Sequence, residues 1–206
     1  MENRYVPLGA PLGQAPVVIM VHGRNAGPAN ILDLVPRLAR PGLTYLAPAA
    51  PGRTWYPYSF MAPIEQNEPS LSAALGILAA AIEQVEQAGV SRSRTVLLGF
   101  SQGACLASEF AVRHAGRYGG VIAFTGGLIG PPGTQWHFPG DFGGTPVFLG
   151  SGDPDAHVPA ERVAESAEVF TRMGASVTRR IYPGMGHLVS DDEIAMAQAI
   201  LDAVGP

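Results

Sequence analysis

The chain has 206 residues, 47% of them apolar and only 15% charged, with a formal net charge of −4. That composition excludes an unfolded chain and supplies material for a real core. There is no block of basic residues, which argues against nucleic acid as a partner, and the single cysteine excludes an internal disulfide.

The opening "MENRYVPLGAPLG" lacks the apolar centre of a signal peptide, and the longest apolar runs, "VVIMV" and "ALGILAAAI", are too short to span a bilayer. A cytoplasmic protein without a membrane span is expected. The length fits one domain over residues 1–206.

Val17 to Val21 is a continuous apolar run rich in β-branched residues and predicts a strand buried on both faces, as in a parallel sheet. A Gly-rich loop follows, then a helix from about Pro28 to Ala39. Leu43 to Ala47 predicts the next strand. Residues 48–68 form a long loop stiffened by Pro48, Pro51, Pro57 and Pro63. Loops of that length in compact domains are usually functional. From Ser70 to Ala88, Leu71, Leu75, Leu78, Ile82 and Val85 recur at three- and four-residue steps, which builds one apolar helical face. Gly89 supplies a stop. Thr95 to Leu98 predicts a strand, and a helix runs from Ser101 to about His114. Further strands are predicted at Val121 to Phe124, Val147 to Leu149 and Val177 to Ile181. Helices near Pro159 to Met173 and Asp191 to Val204 separate and close them. This alternation implies an α/β fold, a mostly parallel central sheet with helices on both faces. The short span between Val121 and Val147 leaves no room for a lid domain.

In a chain with 26 glycines, the pentapeptide "GFSQG" around Ser101 decides nothing by itself. Its setting does more. Ser101 falls at a strand-to-helix junction, where a nucleophile elbow raises its hydroxyl above the sheet. A serine hydroxyl needs a base, and the base needs an orienting acid. "GSGDPDAHVP" and "YPGMGHLVS" each follow a predicted strand, in the order Ser, Asp, His that this architecture uses. His187 is then the base, flanked by Gly184 and Gly186, and Asp153 or Asp155 the acid. Of the other histidines, His114 is expected at the surface, His157 at the rim and His137 in a Pro/Gly loop. An oxyanion hole needs two backbone N–H groups, assigned to Gln102 after the serine and to Arg24 in "VVIMVHGRNAG". The Arg24 side chain is left facing solvent or pairing with an acid. Trp55, Tyr56, Phe60 and Met61 are candidates for the substrate pocket, and Cys105 reads as a small core residue. No metal-ligand spacing such as H-E-x-x-H is present, so neither metal nor cofactor is expected.

Four blocks, "HGRNAGPANIL", "GFSQGA", "GDPDAHVP" and "YPGMGH", resemble the carboxylesterase/phospholipase family of α/β hydrolases, which includes the acyl-protein thioesterases. The resemblance spans nearly the whole chain. It implies a lidless, cofactor-free serine hydrolase of carboxylic esters or thioesters, often a homodimer. It also selects Asp155 as the acid, because Gly152, Asp155, Val158 and Pro159 match the family's G-x-x-D-x-x-V-P pattern, and it leaves Asp153 to brace the loop. The chain departs from the acyl-protein thioesterases at Arg24, where they carry a leucine. It resembles dienelactone hydrolases in layout, but those use a cysteine nucleophile where this chain has Ser101. The expected activity is therefore esterase, with thioesterase, acyltransferase or lysophospholipase as alternatives on the same residues. An inactive binding module is the reading from outside enzymology.

Overall fold

The computed structural model describes residues 5–205. Among these, seven strands form one sheet: β1 (Tyr5–Gly9), β2 (Val17–Val21), β3 (Thr44–Pro48), β4 (Thr95–Phe100), β5 (Gly120–Phe124), β6 (Pro146–Asp153) and β7 (Ser176–Pro183). Their spatial order is β1-β3-β2-β4-β5-β6-β7. β1 pairs antiparallel with β3, and every other pairing is parallel.

The sheet is covered on both sides, and strand alternation decides which side chain goes where. Val17, Ile19 and Val21 of β2 face the side of the sheet whose buried cluster includes Leu78 and Ile82 of α4 (Ser70–Gln87), Phe110 of α5 (Gln102–Arg113) and Phe170 of α6 (Ala160–Arg172). Val18 and Met20 face the opposite side, whose buried cluster includes Ile31 of α1 (Pro28–Leu32), Leu38 of α2 (Val35–Leu38) and Leu201 of α7 (Asp191–Val204). All five residues of β2 are buried, as a central parallel strand requires.

Several segments differ from expectation. The helix read over 28–39 is two short helices, because Pro36 has no N–H to give Leu32 and opens a new helix instead. β1 left no readable signal: Val6 and Leu8 are exposed, and Pro7 confines the strand to a sheet edge. The loop over 48–68 contains a 3-10 turn, Pro51–Arg53, and a one-turn helix, α3 (Ile64–Asn67). β6 and β7 run further than predicted, pairing as far as Asp153 with Pro183. Their extension carries the two loops that follow to the same end of the sheet as the β4–α5 junction.

Candidate active site

Ser101 sits between β4 and α5 with φ 56° and ψ −122°, a region that costs a non-glycine residue about 1–3 kcal/mol. The glycines around it are required by contact. A Cβ on Gly99 would lie 2.4 Å from the Gly103 carbonyl oxygen, and one on Gly103 would lie 2.0 Å from that of Val21. The strained turn is held by the Ser101 N–H, which donates to Phe124 at 3.0 Å, and by the Cys105 N–H, which donates to the Ser101 carbonyl at 3.0 Å.

His187 reaches this serine from the loop after β7. Its Nε2 is 2.8 Å from Ser101 Oγ, and its Nδ1 is 2.8 Å from Asp155 Oδ2. The other Asp155 oxygen accepts the N–H groups of His157 at 2.7 Å and Val158 at 2.9 Å. The Asp155 side chain is fully covered. Burial pushes its pKa up, yet the two amides and His187 outweigh burial and hold it below the usual carboxylate value. The close approach of the two loops rests on Gly152, whose added Cβ would lie 2.1 Å from the Met185 carbonyl oxygen. Asp153 points elsewhere: it is exposed, and among the described residues its carboxylate has no partner. Only its backbone braces the loop, its carbonyl accepting from Gly184 at 2.7 Å. His157 stands edge-on to His187, with ring centroids 4.9 Å apart, while His114 is exposed at the end of α5.

The amides of Arg24 and Gln102 have no backbone acceptor among the described residues, so both are free to donate. Gly23 packs against the elbow; an added Cβ there would lie 3.5 Å from Ser101 Cβ. His22 fixes the strand end before it. Its Nε2 accepts the Ala50 N–H at 3.1 Å, which leaves Nδ1 to donate to the Gly23 carbonyl at 2.8 Å.

The serine opens into a cavity of about 700 Å³, within the usual range of small-molecule sites. Tyr56 and Phe60 line it, together with Tyr58. Trp55 and Met61 do not. The Trp55 indole is buried, with its Nε1–H donating to the His22 carbonyl at 2.8 Å, and Met61 packs against the core. A run of aromatics in a loop carries no signal of which ones fold inward. The Arg24 side chain neither pairs with an acid nor hangs free. Its guanidinium donates to the Pro57 carbonyl at 2.7 Å and to that of Tyr58, which ties the loop over 48–68 to the segment after β2. Cys105 is buried, as expected, and burial pushes its thiol up to about 12, far from a reactive thiolate. It nonetheless borders the cavity floor beside Tyr56.

Two wall residues escaped the sequence reading. The Gln102 side chain is buried and bridges the loop, accepting from the Trp55 N–H at 3.0 Å and donating to the Tyr56 carbonyl at 2.8 Å. Asn67 is fully buried and takes the Tyr58 N–H while donating to the Ser59 carbonyl, each at 2.9 Å. The available signal for Gln102 was a lone amide in the otherwise apolar turn "QGACLA". Among the described residues no group of three His, Cys, Asp or Glu side chains comes together to hold a metal, and no helix is long and apolar enough to cross a membrane.

A seven-stranded, mostly parallel sheet with helices on both faces, and with a serine raised on its strand-to-helix turn, defines an α/β hydrolase. The chain belongs to the phospholipase/carboxylesterase family, whose model matches residues 13–204. It is 42% identical to the phospholipase/carboxylesterase of Dyadobacter fermentans, whose crystal structure superposes with a TM-score of 0.93 over 96% of both chains. It is 36% identical to acyl-protein thioesterase 1 of Eremothecium gossypii over 60% of this chain and 54% of that protein. Against acyl-protein thioesterase 1 of Emericella nidulans the identity is 27%, over 92% of this chain and 90% of that one. In the first two curated relatives the matched region spans about half of their length, 52% and 54%.

Proposed function

We propose that this hydrolase is a serine carboxylesterase working through an acyl-enzyme on Ser101, with His187 as base and Asp155 as the orienting acid. One observation carries the reading: the unbroken line of two 2.8 Å contacts from Ser101 Oγ through the His187 ring to a covered, ionised Asp155. As Ser101 Oγ attacks the ester carbonyl, its proton passes to His187 Nε2. The carbonyl oxygen takes the negative charge between the amides of Arg24 and Gln102. Collapse breaks the ester C–O bond, and the leaving alkoxide takes the proton from His187. Water repeats the sequence on the acyl-enzyme, giving its proton to His187 and releasing the acid and free Ser101. Asp155 stays ionised throughout and holds Nδ1–H toward itself.

The cavity's apolar floor and aromatic wall suit short- to medium-chain or aromatic acyl groups. A thioesterase reading is favoured by the names of the fungal relatives and uses the same steps with a thiolate leaving group. Cytoplasmic action as one α/β domain without metal completes the proposal. The test is an acyl-chain-length series on paired esters and thioesters, with a fluorophosphonate to trap the nucleophile. An adduct on any residue other than Ser101 ends the reading, and a preference for thioesters across the series moves it to the alternative.

A further inference from the structure

The cavity wall has a charge character opposite to that of the whole chain. The protein carries 17 acidic residues and 13 arginines, with no lysine. Yet the residues around the cavity include two arginines, two asparagines and three histidines, and no aspartate or glutamate. Asp155, the acid of the hydrogen-bonded line, is covered behind His187 with both oxygens occupied.

The two arginines are also unlike most others in the chain. Arg37, Arg40, Arg92, Arg113, Arg162 and Arg180 each pair with a carboxylate. Arg24 and Arg53 line the cavity, and among the described residues neither has a carboxylate within ion-pair distance. Both are held in place by backbone groups. Arg24 is fixed by the carbonyls of Pro57 and Tyr58, with its guanidinium 6.0 Å from the centre of the Tyr56 ring. Arg53 donates through Nε to the Ala26 carbonyl at 3.4 Å, and among the described residues its two terminal nitrogens have no partner. Its own carbonyl accepts the Asn25 N–H at 2.8 Å. Arg53 and Asn25 both lie in the left-handed region, at φ 63° and 60°. Two adjacent strained residues, bonded to each other, hold a cation at the cavity mouth. Such strain concentrates where a ligand is bound.

A cleft with unpaired cations focuses the field and concentrates counter-charged ligands. We infer that the preferred substrate is an ester that also carries an anionic substituent, a carboxylate or a phosphate, which seats against Arg53 and the Arg24 rim while the ester carbonyl lies on Ser101. Guanidinium forks match both groups. The inference rests on the serine-esterase reading of the same site.

Three matched substrate pairs test it and locate the anion. The alcohol side is probed by para-carboxyphenyl butanoate against para-carbamoylphenyl butanoate. The acyl side is probed by mono-para-nitrophenyl suberate against para-nitrophenyl octanoate. A phosphate is probed by butanoyl glycerol phosphate against butanoyl glycerol. In at least one pair the anionic member should have the higher kcat/KM, by about tenfold, the scale of one charge-assisted contact in a half-open site. That ratio should fall toward one with added salt and in Arg53→Gln, and drop below one in Arg53→Glu. Ratios at or below one in all three pairs overturn the inference, as does a ratio that ignores both substitutions. The two readings fail separately. Ser101-dependent hydrolysis of the neutral esters without any anion preference removes only this inference. Hydrolysis that survives Ser101→Ala removes the esterase reading beneath it.

Discussion

The hydrogen-bonded line Ser101–His187–Asp155 and the cavity wall formed by residues 48–68 meet at the same end of the sheet but are built in different ways. Each member of the line stands on a loop that directly follows a parallel strand, β4, β6 or β7, and its position follows from the strand's register. The wall's loop also follows a strand, β3, but the residues that line the cavity stand further along it. It is held by individual side-chain hydrogen bonds, from Gln102 to Trp55 and Tyr56 and from Arg24 to Pro57 across the chain, and from Asn67 to Tyr58 and Ser59 within the loop. Chemistry placed on strand ends is insensitive to loop detail, whereas a wall pinned by individual side chains can be altered one contact at a time. Substitutions in the line should therefore act on kcat, and those in the wall on KM.

The largest expected effect belongs to Ser101→Ala. Ester hydrolysis should fall by at least about 10⁴-fold while circular dichroism stays unchanged, because only the nucleophile is lost. Mass spectrometry after fluorophosphonate treatment should find the adduct on Ser101 in the parent and none at Cys105 of the variant. A labelled Cys105 would contradict its high thiol pKa as well as the line.

Next in size is Asp155→Asn, expected to lower kcat by about 10³ to 10⁴, since the amide cannot hold the required His187 tautomer. Asp153→Asn should cost less than about tenfold, because its exposed side chain bonds nothing among the described residues and its backbone contact survives the change. Measuring both on one short-chain ester checks the assignment. The reverse ranking would move the acid two residues along the loop.

The contrast also explains what the sequence revealed. The sheet, the elbow and the three loops were legible because apolar runs, Gly99 and Gly103 impose local rules that any observer can apply. The reading of Trp55 and Met61 as pocket residues failed because nothing local says which aromatic turns inward. Trp55 does so because the His22 carbonyl, fixed by a different strand, waits for its indole N–H. β1 was illegible for the opposite reason: an edge strand with Pro7 and two exposed apolar residues buries no stripe from which to read a period.

Gln102 adjoins both regions, following Ser101 directly in the chain and placing its side chain in the wall, so Gln102→Ala separates them. The backbone donor remains, while the Trp55 N–H and the Tyr56 carbonyl lose buried partners. That should cost about 2–6 kcal/mol of stability, from two hydrogen bonds at about 1–3 kcal/mol each when left unmade. KM should rise by roughly tenfold with kcat within about threefold. A collapse of kcat at unchanged KM would mean that the wall reaches into the chemistry, and the division between the regions would not hold.

The smallest expected effect is a proton count at His22, the residue that joins the wall to the end of β2. Burial lowers its pKa from the ordinary 6.5, the Gly23 carbonyl partly opposes this, and the Arg53 charge adds to the lowering. Neutral His22 fits its surroundings, because Nε2 must accept from Ala50; a protonated ring would present N–H against N–H there. The folded state therefore binds this proton less readily than the unfolded chain. The stabilisation is fully present above pH 6.5 and is lost as pH falls below it, with a slope of at most about 1.36 kcal/mol per pH unit from one group. His114, lowered first by burial and then by Arg92 and Arg113, adds a slope of the same sign. Glu109 and Glu193, both raised by burial, add the opposite sign as pH rises from the ordinary 4.5. The measurement is thus a difference: urea unfolding of the parent and of His22→Gln, which does not titrate, at steps from about pH 8 to about pH 5. The gap between them should narrow as the pH drops through 6.5. A gap that stays constant over the range would mean that His22 holds the wall through packing against Trp55 at 4.8 Å rather than through its neutral ring nitrogen.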